Sequence, residues 1–132
     1  MKYLLDTDTC IYWLKGREAV KQNVLAVGYS EIAISVITVA ELYFGAYNST
    51  KISENLATAE KFIQSLPVLN LNQTTLKYFG QLKADLKQKG MPIADFDLLI
   101  ASIALTENLI LVSNNMRHYN RISQLNLENW FS

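Results

Sequence analysis

Short apolar runs alternate with longer stretches of helical spacing along this chain. Tyr3-Leu4-Leu5, Ile32-Ala33-Ile34-Ser35-Val36, Val68-Leu69-Asn70-Leu71 and Leu109-Ile110-Leu111-Val112 each suit a strand buried on both faces. Between them, Cys10–Leu14 reads as a short helix closed at Gly16. Arg17–Val27 carries Val20, Val24 and Val27 on one face and stops at Gly28. Ile37–Ala46 and Leu98–Leu105 are apolar on nearly every side, which predicts buried helices. Ser53–Leu66, ended by Pro67, and Asn72–Lys89, closed by Gly90, are amphipathic. A last short strand is expected near Leu125–Leu127. Strands alternating with helices predict an α/β fold, a three-layer α/β/α sandwich around a parallel sheet of four to five strands. No repeat or linker interrupts the pattern, so residues 1–132 are read as one domain.

Bulk properties narrow the picture. Half the residues are hydrophobic and 18% are charged, as in a globular chain rather than a disordered one. The 12 basic and 12 acidic side chains cancel, so any surface for nucleic acid must be local. Cys10 is the single cysteine and is expected in the core. It cannot form an internal disulfide, which fits a reducing cytoplasm. No apolar run is long enough for a membrane span, so a soluble chain with no membrane partner is expected.

The candidate chemistry is acidic. Asp6 follows the first strand, and in open parallel sheets the ligand crevice lies at the strands' carboxyl ends. A turn aspartate, with Thr7 or Asp8 capping the next helix, is the ordinary alternative. Glu41 falls inside an apolar helix, where carboxylates are rare unless paired, protonated or metal-bound. Thr38-x-x-Glu41 also fits a capping box, and a surface basic partner is a further alternative. Asp95 fits a helix cap. Asp97, between Phe96 and Leu98-Leu99, is expected in the first turn of a buried helix. Ser113-Asn114-Asn115 lies at the end of the fourth strand. Three acids in one crevice repel one another, and a divalent cation removes that cost. Oxygen donors suit Mg²⁺ or Mn²⁺; one cysteine and His118 cannot build a closed zinc site.

Leu4-Leu5-Asp6-Thr7-Asp8, Val39-Ala40-Glu41-Leu42 and Asp97-Leu98-Leu99-Ile100-Ala101 resemble the signature motifs of PIN-domain ribonucleases. More narrowly they resemble the VapC toxins of bacterial toxin–antitoxin pairs, and the likeness spans the chain. It implies metal-dependent endonucleolytic cleavage of RNA, often tRNA or ribosomal RNA, with Asp6, Glu41 and Asp97 as the acidic metal-site residues. Asn115 stands where many members carry a fourth acid in a Thr-x-Asp pattern. It brings no charge, though its amide oxygen can coordinate a cation or orient a water, and a second tightly held metal is in doubt. Asp8 and Ser113 are expected to support the site rather than react, and Asp95 to cap a helix with at most a water-mediated metal contact. The family usually forms homodimers and is silenced by an antitoxin whose tail docks by the active site. Tyr43, Phe44 and Tyr47 are candidates for that interface, with core packing as the alternative.

RNA needs positive groups at the rim. Lys15, Arg17, Lys21, Arg117 and Arg121 are candidates, with Tyr12, Trp13, His118 and Tyr119 for stacking; an ordinary surface or core place is the alternative for each. Two other readings compete. Asp6-Thr7-Asp8 also resembles the first motif of haloacid-dehalogenase-type phosphatases, but no lysine follows a strand convincingly. A catalytically weak RNA-binding or interaction module of the same fold has Asn115 as its support.

Overall fold

The computed structural model describes residues 1–131. Five strands, β1 (Tyr3–Leu5), β2 (Ile32–Ser35), β3 (Val68–Leu69), β4 (Ile110–Val112) and β5 (Leu127–Glu128), form one sheet. Its order is β3-β2-β1-β4-β5 and every pairing is parallel. The helices are α1 (Thr7–Leu14), α2 (Glu18–Val27), α3 (Val36–Tyr47), α4 (Ile52–Gln64), α5 (Gln73–Gln88), α6 (Asp95–Glu107) and α7 (Met116–Tyr119).

The unbroken apolar runs of the central strands are sorted by the two-residue period of a strand. Leu4, Ala33 and Leu111 face one core with α5, α6 and Tyr119. Tyr3, Leu5, Ile32, Ile34 and Val112 face the other with α1, α2 and α4. Helix layers therefore cover both faces, which is why these strands lack a polar side. Helix α3 serves both cores, sending Ile37 to the first and Leu42 to the second. Cys10 is fully buried in the second core.

Several boundaries differ from expectation, each for a local reason. Helix α1 begins at Thr7 rather than Cys10, because Asp6 caps it. Helix α3 begins at Val36, because the Ser35 side chain caps it. Strand β3 stops at Leu69 and sits at the sheet edge with Val68 exposed. Helix α3 is not buried all round, since Phe44 and Tyr47 are mostly exposed. Helix α7 is only four residues long, too short for a periodic signal. Among the described residues no helix is long and apolar enough to cross a membrane.

Candidate active site

The sheet order places the carboxyl ends of β2, β1 and β4 side by side. Asp6 is the only residue between β1 and α1. Its N–H donates to the Val112 carbonyl (3.0 Å), which extends the β1–β4 ladder past the strand. Its Oδ1 accepts the Thr9 N–H (2.9 Å) and so caps α1. The cap is Asp6 itself, not Thr7 or Asp8, because the strand's last ladder bond leaves Asp6 extended with its side chain against the first turn. Asp6 is 5% exposed. Burial pushes its carboxyl up to about 6, against the downward pull of hydrogen bonds from Ser113 and Thr9.

Glu41 lies in the second turn of α3. The capping box with Thr38 is not formed: Ser35 Oγ accepts the Thr38 N–H (3.1 Å), so Thr38 is the third residue of the helix and Glu41 the sixth. Glu41 Oε1 instead accepts from Thr7 Oγ1 at 2.5 Å, across from α1. Thr7 Oγ1 is also 3.0 Å from Thr38 Oγ1. Glu41 borders an open, largely apolar cavity of about 540 Å³ between α1, α3 and α4, lined by Ile11, Leu14, Leu42, Ala46 and Ala59 with Lys15.

Asp97 is half-buried at the third position of α6. Burial raises its carboxyl, the Asp8 charge raises it further, and His118 and Tyr119 oppose the rise. Phe96 does not share that burial; it is half exposed. Asp95 is not a cap. Ala94 occupies that position, with no side-chain bond, and Asp95 pairs with Lys83 of α5 at 2.9 Å. Asp8 is exposed in the first turn of α1, and its charge raises Asp6 as well as Asp97.

Tyr119 joins these groups. It is fully buried, and its hydroxyl donates to the Asp97 backbone carbonyl (3.3 Å). Burial, then the charges of Asp97, Asp6, Glu41 and Asp8, push its phenol far above its ordinary value. The charges of four acids from three elements thus act on one buried phenol. A buried Tyr119 cannot stack on RNA, and nothing in Met116–Tyr119 marks it as core; its parent β4 connection does so only in three dimensions.

Ser113 is buried, and its Oγ accepts the Asn115 N–H (2.9 Å). Asn115 Nδ2 lies 2.9 Å from His118 Nδ1, leaving the Asn115 amide oxygen free for another partner. The rim residues divide. Lys15, Lys21 and Arg117 are exposed. Arg17 lies over the Phe131 ring at 3.8 Å, and Arg121 donates to the Pro92 carbonyl (2.7 Å). Trp13 packs edge-on against Tyr29 and Phe62, and Tyr12 packs at a tilt against Phe131 while its hydroxyl accepts from Asn114. These rings are held by the protein's own packing.

The donors available here are oxygens, a set that suits a hard cation rather than zinc. Among the described residues no three Asp, Glu, His or Cys side chains stand close enough to hold one ion unaided. Mg²⁺ is commonly bound by one or two carboxylates with water in the remaining positions. Among the described residues the ion pairs are the Met1 amino group with Glu31 and Lys83 with Asp95. Asp6, Asp8, Glu41 and Asp97 make no salt bridge among those residues.

A PIN-domain family model matches residues 3–124. Ribonuclease VapC2 of Haemophilus influenzae is 39% identical over 130 residues, covering 98% of each chain. The tRNA(fMet)-specific endonuclease VapC of Salmonella typhimurium is 36% identical over 130 residues, again 98% of each. Among solved structures, DNA-bound VapBC from Salmonella typhimurium aligns with a TM-score of 0.92 at 37% identity, covering 98% of both chains. VapBC-1 from nontypeable Haemophilus influenzae aligns at 0.90 and 30% identity over all of both chains. On the motif-bearing acids, the sheet order and these full-length matches, the chain belongs to the PIN-domain family and, within it, to the VapC ribonucleases.

Proposed function

We propose that this chain is the toxin of a toxin–antitoxin pair and cuts RNA phosphodiesters with a divalent cation, Mg²⁺ or Mn²⁺, held by one or two carboxylates from among Asp6, Asp97 and Glu41 with water in the remaining positions. One observation supports this reading most: among the described residues Asp6, Asp8, Glu41 and Asp97 make no salt bridge, while the exposed Asp95 makes one. A bound divalent ion lowers the pKa of water and stabilises charge at a phosphodiester under attack. The chain's own groups do the rest. Asp6, held by its cap bond and by Ser113, presents a fixed carboxylate. Asn115, tied to His118, offers its amide oxygen for a water. Asp8 and Ser113 support these groups. Lys15 and Arg117 are exposed to meet phosphates, and Arg17 and Arg121 keep further N–H donors for them beside their contacts with Phe131 and Pro92. The substrate class is tRNA, by likeness to the Salmonella relative named for it.

The partner is an antitoxin, as in the VapBC complexes the chain resembles. An apolar helical face fits the cavity between α1, α3 and α4, and a guanidinium from it fits Glu41 at the border. Exposed Phe44 and Tyr47 extend that apolar surface, and the working unit is a homodimer. Asp97→Asn tests the catalytic reading. Losing the charge removes several kcal/mol of cation-based stabilisation, about a thousandfold in rate. RNA ends sequenced after brief expression should show discrete cuts with the wild type and none with the variant. A folded variant that cuts as fast as the wild type refutes the proposal.

A further inference from the structure

We infer that Thr7 is a positioning residue for Glu41, acting through a one-directional chain of hydroxyl groups between α3 and α1. The inference rests on the proposed role of Glu41 as a site acid. Thr7 Oγ1 donates to Glu41 Oε1 at 2.5 Å and lies 3.0 Å from Thr38 Oγ1. A hydroxyl carries a single proton. The proton of Thr7 goes to Glu41, so Thr38 must donate to Thr7. Ser35 Oγ then donates to Thr38 Oγ1 (3.4 Å), while its lone pair accepts the Thr38 N–H (3.1 Å). Every donor in the chain points towards Glu41, and each bond polarises the next.

Two features separate this from ordinary packing. Helix α1 does not use the Thr7 side chain for its own capping, since Asp6 fills that role. Ser35 and Thr38 are completely buried, so their hydroxyls have no water to fall back on. The same backbone step that sets Asp6 into the site therefore aims Thr7 at an acid 34 residues away in sequence. The chain indexes the two acids to each other. Partners of this kind, bonded to a metal-binding group rather than to the metal, typically carry ten- to a hundredfold of metal affinity.

The test titrates the purified full-length protein with Mn²⁺ alone, reading free Mn²⁺ by electron paramagnetic resonance, with RNA cleavage measured in parallel. Thr7→Val, which keeps the shape and removes the donor, should weaken Mn²⁺ binding about tenfold. Thr7→Ser, which restores the donor, should stay within about twofold of wild type. In a Glu41→Gln background, Thr7→Val should add no further loss, because the residue it serves is already altered. Wild-type binding by Thr7→Val, beside a loss in Glu41→Gln, overturns the inference and leaves the site reading intact. An equal loss from Thr7→Val in both backgrounds overturns it too. Wild-type binding and cleavage by Glu41→Gln overturn the site reading and the inference with it. Melting temperatures establish that each variant is folded, and Thr7→Ala, a good helix former at that position, carries the same test if Thr7→Val is not.

Discussion

The mouths of α1 and α6 put the same residue type in the same kind of place and treat it in opposite ways. At α1, Asp6 is wedged between strand and helix, 5% exposed, with hydrogen bonds but no cation. At α6, Asp95 follows a loop, lies open to solvent and has its charge met by Lys83. Two residues on, Asp97 turns inward, and burial and Asp8 both raise its carboxyl. An acid that the fold neutralises is serving the fold. An acid that the fold buries without a salt bridge among the described residues is the one to test for binding a cation.

The sharpest way to test that contrast is to remove the charge at α1 without removing the cap. Asp6→Asn keeps an oxygen for the Thr9 N–H. Cleavage should fall about a thousandfold, as for Asp97→Asn. Stability should rise. Burial lifts the Asp6 carboxyl from 3.8 to about 6, so the folded state holds its proton where the unfolded chain has lost it. Wild-type stability therefore declines as pH rises from about 4 to about 6 and is flat beyond, with a total cost of about 3 kcal/mol. Chemical denaturation across that range should show a steeper decline in the wild type than in Asp6→Asn, where the raised carboxyl of Asp97 still contributes its own part. A variant that loses activity and stability together would make Asp6 a structural residue.

A cation should reverse the same cost. Mn²⁺ at a hundred times its dissociation constant adds about 2.7 kcal/mol to a state that alone binds it. The wild-type melting temperature should rise by several degrees, and that of Asp6→Asn should barely move. Equal rises in both would place the ion elsewhere.

Much of the architecture was legible in the chain. Apolar runs of three or four residues marked the central strands, since a strand covered on both faces has no polar side to show. Asp6, Glu41 and Asp97 stood out because each interrupts an apolar neighbourhood. The caps did not. Thr7, Asp8 and Thr9 are all competent capping residues, and Asp6 takes the role because the β1–β4 ladder ends on it. Thr38 lost to Ser35 for the same reason, since β2 ends there. Tyr119 reads equally as a stacking ring or a core residue in the chain, because a four-residue helix has no periodicity to reveal which side faces in. The link from Thr7 to Glu41 depends on how α1 and α3 pack, which no local pattern encodes.

The smallest effect belongs to Asp95, and its smallness is the point. Its carboxylate and the Lys83 ammonium are each more than half exposed, 56% and 53%. Exposed pairs contribute at most about 1 kcal/mol, because water solvates either partner well when the other is lost. Asp95→Asn should therefore cost under 1 kcal/mol in denaturation and leave cleavage within about twofold of the wild type. Mn²⁺ affinity decides whether Asp95 reaches the site through a water. An unchanged titration curve leaves Asp95 to Lys83 alone, and the mouth of α6 then divides its labour between an outer acid that the fold has satisfied and an inner one that it has not. A weakened curve would join Asp95 to the inner group, and the contrast between the two helix mouths would narrow to Asp6 alone.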